Sequence, residues 1–459
     1  MGSEWPKLPL ADLVTIHDFR RKPVTKSQRK PGPYPYYGAS GITDYVEDYI
    51  FEGEFVLLAE DGDNLRTRNT PIAFMATGQF WVNNHAHILQ GADDLDTRYI
   101  CYALQHAEVD SYISGSTRPK ITQADLKKIP ISAPPIEVRR LIASYITSID
   151  NKIVLNRQIN TTLESMAQAL FKSWFVDFDP VIDNALAAGN EIPDELALRA
   201  ARREALRQQT NETTGSTDAV SVEQALPETG LSEQRLPSEI QQLFPDRFVL
   251  TEEMGWVPEG WEIAPISTLA NLNPEAWSNK NSPDYVKYVD LANAKNGRID
   301  EVITYSFSES PSRARRVLRI GDTIFGTVRP GNRSFALIHE EGLTGSTGFA
   351  VLRPKTSDVT AFIYFAVTRQ EVIDLFAHLA DGAAYPAIRP DVVADHVVVI
   401  PPTNLLETFE SRVMPMLLSI GSRELMNSGL SDLRDSLLPK LLSGQITIPD
   451  AEQQLAEVL

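Results

Sequence analysis

One passage occurs twice in this chain, and the duplication restricts the possible folds more than any other feature. Residues 115–135 read GSTRPKITQADLKKIPISAPP, and residues 382–402 read GAAYPAIRPDVVADHVVVIPP. Gly115 matches Gly382, Pro119 matches Pro386 and Ile121 matches Ile388; Pro134 and Pro135 match Pro401 and Pro402, all at an offset of 267. The register continues without a gap: Val138 falls on Leu405, Ile142 on Phe409, Ile146 on Val413, Ile149 on Met416, Ile153 on Ile420 and Leu170 on Leu437. Earlier segments echo one another with insertions. EGEFVLL (52–58) resembles IGDTIFG (320–326), and WPKLPLADL (5–13) resembles WEIAPISTL (261–269). Each half therefore reads as a mixed globular domain followed by a long helix.

After each Pro-Pro pair the apolar spacing becomes helical. Ile142, Ile146, Ile149, Ile153, Leu163, Met166, Leu170 and Trp174 fall mostly three or four apart; Leu406, Phe409, Val413, Met416 and Ile420 do the same, continued by Leu430, Leu433, Leu437 and Leu441. Such a spacing predicts a coiled-coil seam. Asn156, Arg423 and Asn427 interrupt it, as polar residues that fix register do. Pro415 predicts a kink in the second helix. Helices of this length span about 60 Å, more than one domain needs, so the simplest partner of each is the other, antiparallel. Two like units with paired helices imply a pseudo-two-fold internal repeat, a symmetry that duplex DNA shares.

The formal charge of −18 argues at first against nucleic acid. Its distribution reverses this. Residues 176–262 hold 18 acidic and 6 basic side chains, so they carry −12 and leave −6 to the other 372 residues. Two basic runs stand out: RRKPVTKSQRK (20–30), with six cations and no acid, and SRARRVLR (312–319), with four. Each is either a solvated loop or a phosphate-binding surface. The acidic stretch contains one short predicted helix, 193–209, followed by a Ser/Thr/Glu-rich stretch that reads as flexible. A lone cysteine, Cys101, excludes an internal disulfide and a cysteine metal cluster, and fits a cytoplasmic location; no run predicts a membrane span.

Four passages carry a family resemblance: ALFKSWFVDFDPV (169–181), LFPDRFV (243–249), MGWVPEGWEI (254–263) and LRDSLLPKLLSGQI (433–446). They resemble the specificity subunit of Type I restriction–modification enzymes, over nearly the whole chain. The N-terminal unit departs from the pattern by opening at SEWPKLPLADL, a shortened form of VPEGWE. The resemblance implies an α+β fold: two target-recognition domains separated by two long antiparallel coiled-coil helices. The boundaries become 1–135 and 254–402 for the domains, 136–176 and 403–446 for the helices, 177–253 for the acidic linker and 447–459 for a C-terminal tail. It also implies a non-catalytic subunit that reads double-stranded DNA as a split target. Two modification subunits carrying adenine methyltransferase activity would dock on it, and restriction subunits would join them. S-adenosylmethionine, ATP and Mg would then belong to those partners, with no cofactor on this chain.

The residues agree that catalysis is missing. No Asn/Asp-Pro-Pro-aromatic motif is present to hold a target amine, and no Gly-Lys pair exists to build a phosphate loop. EDGDN (60–64) and RPGN (329–332) predict turns, and the Glu60, Asp61 and Asp63 cluster a solvated turn rather than a Mg site. His85 and His87 share a strand face without a further ligand nearby, so a metal site is not expected.

The paired loops are the candidate base readers: Arg118 and Lys120 in the first, Tyr385 and Arg389 in the second. Arg20, Arg21, Lys22, Lys26, Arg29 and Lys30 are the candidate phosphate clamp of the first domain. Arg313, Arg315, Arg316 and Arg319, with Arg329 and Arg333, are that of the second. Alternatively, the Gly-Pro-Ile frame is a structural turn. The apolar helix ends predict a partner surface at Phe171, Trp174, Phe175, Leu438, Leu441 and Leu442. Two competing functions are a self-contained nuclease or methyltransferase with its own recognition domains, disfavoured by the missing motifs, and a coiled-coil scaffold, which leaves the basic runs unexplained.

Overall fold

The computed structural model describes residues 5–213, 236–382 and 385–456. It divides into two compact units. Unit 1 comprises Met1–Asn156 with Leu425–Leu459, and unit 2 comprises Arg157–Glu424. The two long helices, Ile136–Phe175 and Thr403–Ser443, lie within a few residues of the predicted spans. The division cuts both helices in the middle, so each unit holds a domain plus half of each helix. The predicted C-terminal tail instead contains a helix, Ile448–Ala456. The predicted 193–209 helix runs Ala197–Thr213, preceded by a second helix at Asp179–Ala188 that begins with Pro180 in its first turn. Most of the Ser/Thr/Glu-rich stretch, from 214 to 235, lies outside the described residues.

Among the described residues unit 1 has eight strands: β1 (Lys7–Pro9), β2 (Thr15–Ile16), β3 (Tyr34–Gly38), β4 (Gly41–Val46), β5 (Phe51–Ala59), β6 (Ala73–Val82), β7 (Ala86–Gln90) and β8 (Pro130–Ser132). Six form one sheet in the order β2-β7-β5-β6-β3-β4, all neighbours antiparallel except β3 and β6. β5 is central because FVLLA (55–59) is apolar on both faces. Val56 and Leu58 enter one core, with Tyr99, Ile100 and Leu104 of the helix Asp94–Gln105. Phe55 and Leu57 enter another, with Phe51, Phe80 and Ile88. A strand buried on both sides reads as a continuous apolar run, not an alternating one.

Among the described residues unit 2 has two four-stranded sheets. Thr323–Gly326 lies in one, between Phe349–Pro354 and Phe335–Leu337. The helix Thr360–Thr368 is buried along its whole length. At the domain base Glu262–Pro265 pairs with Val397–Ile400, as β1 pairs with β8 in unit 1.

Within each unit the helix halves pack antiparallel. In unit 1, Ile142, Ile146, Ile149 and Ile153 share a core with Leu430, Leu437, Leu438 and Leu441. Asp150 meets Arg434 at 2.9 Å, and Asn156 Nδ2 donates to Asn427 Oδ1 at 2.9 Å. In unit 2, Phe171, Trp174 and Phe175 surround Phe409, and Asn160 Nδ2 donates to Glu424 at 2.8 Å. The second helix continues through Pro415 without interruption. No helix among the described residues is long and apolar enough to cross a membrane.

Candidate nucleic-acid interface

The repeated loops are fixed by one backbone frame. In unit 1 the Ile121 amide donates to Glu60 O (2.9 Å), Gly62 to Pro119 O (3.0 Å), and Ser114 and Lys120 exchange two bonds of 2.8 Å. In unit 2 Ile388 donates to Thr327 O (2.9 Å) and Arg329 to Pro386 O (2.7 Å), while Asp381 and Ala387 exchange bonds of 3.1 and 2.9 Å. Every pair corresponds at the offset of 267. The repeat therefore holds back to Glu60 and Thr327, one residue away from the alignment of EGEFVLL with IGDTIFG. Gly115 (φ 83°) and Gly382 (φ 115°) begin the loops in a conformation that favours glycine. The Gly-Pro-Ile frame is thus structural, and it presents Arg118 in one loop and Tyr385 in the other to the surface. The Arg118 side chain is 68% exposed and Tyr385 is 72% exposed.

The first basic run divides sharply. Arg20 lies over the Phe51 ring at 4.4 Å and donates to Ile50 O. Arg21 is largely buried, bonded to Glu60 at 2.5 Å and to Ala86 O. Arg29 stacks on Tyr36 at 4.1 Å and bonds Asp44. Arg21 and Arg29 are thus engaged by acidic side chains within the domain, whereas Arg20 stays exposed above Phe51. Lys22 and Lys26 are exposed, and Lys30 pairs with Glu47 at the surface. Arg118 meets Asp61 (2.9 Å) and Lys120 meets Glu60 (3.0 Å), both remaining about half-exposed or more.

Beneath this loop lies a buried polar network that the sequence did not reveal. Asp18 accepts from the Ile88 amide (2.9 Å) and pairs with His87 Nδ1 (2.6 Å), whose Nε2 lies 2.9 Å from Ile121 O. Burial alone would raise the Asp18 carboxyl; the His87 bond and charge, with the Ile88 amide and Arg21, outweigh it and hold it below its ordinary value. Burial likewise raises Glu60, and its bonds to Arg21 and Lys120 prevail. His85 bonds Asp61 at 3.0 Å. Of the residues considered for metal, His85 pairs with Asp61 and His87 lies 3.9 Å from Glu60; among the described residues no group of three or more His, Cys, Asp or Glu is placed to hold a metal ion. EDGDN leads into the short helix Asn64–Thr67, and RPGN forms a 3₁₀ turn, Pro330–Asn332.

In unit 2, Arg313 bonds Tyr288 (2.9 Å) and Asp290, and Arg319 bonds Glu275 (3.0 Å). Arg315 lies over Phe307 at 4.7 Å. Arg316 is partly buried: burial lowers its pKa, and its Nε is enclosed with no hydrogen-bond partner among the described residues. Arg329 sits at 5.0 Å over Tyr385, while Arg389 precedes the helix Pro390–Ala394 with its side chain exposed. Arg333 is held by Asn296 (2.6 Å) and Gln370. The structure thus gathers Arg329, Tyr385 and Arg389 at one loop, while Arg313, Arg315, Arg316 and Arg319 lie on or beside the strand Ala314–Val317.

The six expected partner-binding residues are corrected together. Phe171, Trp174, Phe175, Leu438, Leu441 and Leu442 are between 1% and 6% exposed. They form the cores beneath the helix ends and present no surface. Their apolarity reflects helices packed against each other and against domains at once. Exposed apolar residues on the helices lie elsewhere, at Leu141, Val154, Leu155, Leu418 and Leu425.

Residues 2–165 match the family model of the Type I restriction modification DNA specificity domain. A putative type I restriction enzyme specificity subunit of Haemophilus influenzae is 41% identical over 32% of this chain, a match spanning 38% of that relative's length. The type I restriction enzyme HindI specificity subunit of the same organism is 26% identical over 72% of each chain. The crystal structure of the S subunit of a Type-I restriction-modification system from M. genitalium shares the fold, with a TM-score of 0.54 over 96% of both chains at 14% identity.

Proposed function

We propose that this chain, which resembles specificity subunits of Type I restriction–modification systems, is such a subunit, reads a split, asymmetric sequence in double-stranded DNA and performs no catalysis itself. One observation carries this reading: the same hydrogen-bonded loop frame recurs in both units and presents different side chains, Arg118 in one and Tyr385 in the other. An arginine takes guanine through two hydrogen bonds, whereas a tyrosine offers a hydroxyl and a ring face. Like frames with unlike side chains suit two readers of different half-sites. Lys22 and Lys26, with Arg313, Arg315 and Arg319, supply phosphate contacts around them.

In this reading the chain works in the cytoplasm. It docks two modification subunits, and through them restriction subunits. S-adenosylmethionine, ATP and Mg reside on those partners. The outward apolar residues Leu141, Val154 and Leu155 of the first long helix suit such docking better than the buried helix ends. Co-expression with the cognate modification subunit, followed by mapping of methylated adenines, tests the proposal. A bipartite asymmetric motif is expected, and the purified chain alone neither methylates nor cuts DNA. A continuous palindrome, or either activity in the pure chain, contradicts it.

A further inference from the structure

We propose that Phe19 is a wedge that unit 1 inserts between base pairs of duplex DNA. The inference rests on the DNA-recognition reading above. Asp18–Arg20 is a single 3₁₀ turn; Asp18 and the following Arg21 point inward, while Arg20 stays exposed above the Phe51 ring. Asp18 is bonded to Ile88 N and His87, and accepts from Gln123 Nε2 at 3.2 Å. Arg20 is stacked on Phe51, and Arg21 is bonded to Glu60 and Ala86 O. Between these anchors the apolar Phe19 is 83% exposed.

This arrangement inverts the usual partition of charged and apolar side chains. Isolated exposed apolar residues are common on protein surfaces. Here, however, six contacts of Asp18, Arg20 and Arg21 fix the turn that presents the ring. Phe19 gains little cover from its neighbours; the nearest ring, His17, is 6.4 Å away and tilted by 33°.

The surroundings indicate the partner. Lys22 follows the turn and is exposed. Glu60, which holds Arg21, also holds Lys120 at 3.0 Å, and His87, which holds Asp18, contacts Ile121 O. The turn and the 115–121 loop are therefore tied to one buried network. An apolar side chain mounted rigidly among cations suits a partner that is anionic outside and stacked inside. Proteins that kink duplexes use Phe, Leu, Ile, Met or Pro in this way, unstacking one base step.

The test uses the full chain with its modification subunits and a duplex cut around a mapped methylated adenine. 2-Aminopurine is placed in turn along each half-site. Wild type should raise its fluorescence at one step of one half-site. Phe19→Ala should remove that signal and weaken binding about tenfold or more, the scale of one lost stacking contact. Melting temperature and salt dependence should stay unchanged, because Phe19 is exposed and uncharged. Phe19→Leu should restore most of the affinity, whereas Lys22→Ala should lower the salt dependence instead. Phe19→Ala binding and fluorescing like wild type overturns the wedge. So does a variant that loses the modification subunits but retains DNA affinity, since the ring would then face protein. A wild-type complex that binds no duplex overturns the DNA reading itself, and the wedge with it.

Discussion

A Cβ added to Gly115 would stand 2.4 Å from the carbonyl oxygen of Arg118, and one added to Gly382 would stand 3.0 Å from that of Tyr385. Both glycines also have positive φ. Gly115→Ala should therefore destabilise unit 1 by about 2 kcal/mol or more and displace Arg118. Gly382→Ala should cost less, because its nearest atom is farther away; thermal melting of the two variants checks the order. Glu410 gives a pH-dependent prediction. Burial lifts its carboxyl to about 7 against an ordinary 4.5, with two contacts to the Ala361 amide opposing the rise. The folded state thus holds its proton more tightly than the unfolded one. The resulting cost is absent below pH 4.5, grows as pH rises, and levels off above 7. Glu410→Gln should stabilise the protein by about 2–3 kcal/mol above pH 7 and by little at pH 4.5, read from denaturant midpoints at the two pH values. The difference between Arg21 and Arg118 was not legible in the sequence. Both belong to basic stretches, yet Arg21 is fixed by Glu60, which is 39 positions away in the chain.

The helices were the most legible elements, because apolar spacing and Pro-Pro boundaries depend on neighbouring residues alone. Both appear where the periodicity placed them, and both contact each other. Less legible was which apolar residues face a second core. Phe171 and Leu438 read as exposed helix-end residues, but the domain packing that buries them comes from segments far along the chain. The polar break in the seam was also visible: Asn156 and Asn427 meet directly. Asn427 Nδ2 is nevertheless enclosed without a partner among the described residues. A buried amide pair left partly unsatisfied costs stability while it fixes register. Replacing both by Leu should raise the melting temperature, whereas Asn156→Leu alone should lower it by leaving Asn427 with no partner. Chemical denaturation of the single and double variants separates the two effects. A double variant less stable than either single one would show that the pair stabilises the fold as well as its register.

At the scale of the whole molecule, the duplication gives each unit the same loop frame, and the side chains within it differ between the units; on the proposed function, each unit then has its own readout. Specificity should therefore be separable by unit. Changing Arg118 should alter one half of the mapped target and leave the other intact. Changing Tyr385 or Arg389 should alter only the second half, each lost base contact costing about 1–3 kcal/mol. Lys120 should act on the first half through its bond to Glu60 as well as through DNA, so Lys120→Ala should also lower the stability of unit 1 slightly. The phosphate contacts behave differently. Lys22→Ala and Arg315→Ala should weaken binding to every sequence and reduce its salt dependence, whereas Arg21→Ala should instead destabilise the fold, since its guanidinium is bonded inside the domain. Transplanting the sequence of 382–388 onto 115–121 is the strictest test. The frames are hydrogen-bonded at equivalent positions, so the hybrid should fold and its first half-site should change. Methylation mapping in which both halves change together would mean that the two loops do not read independently.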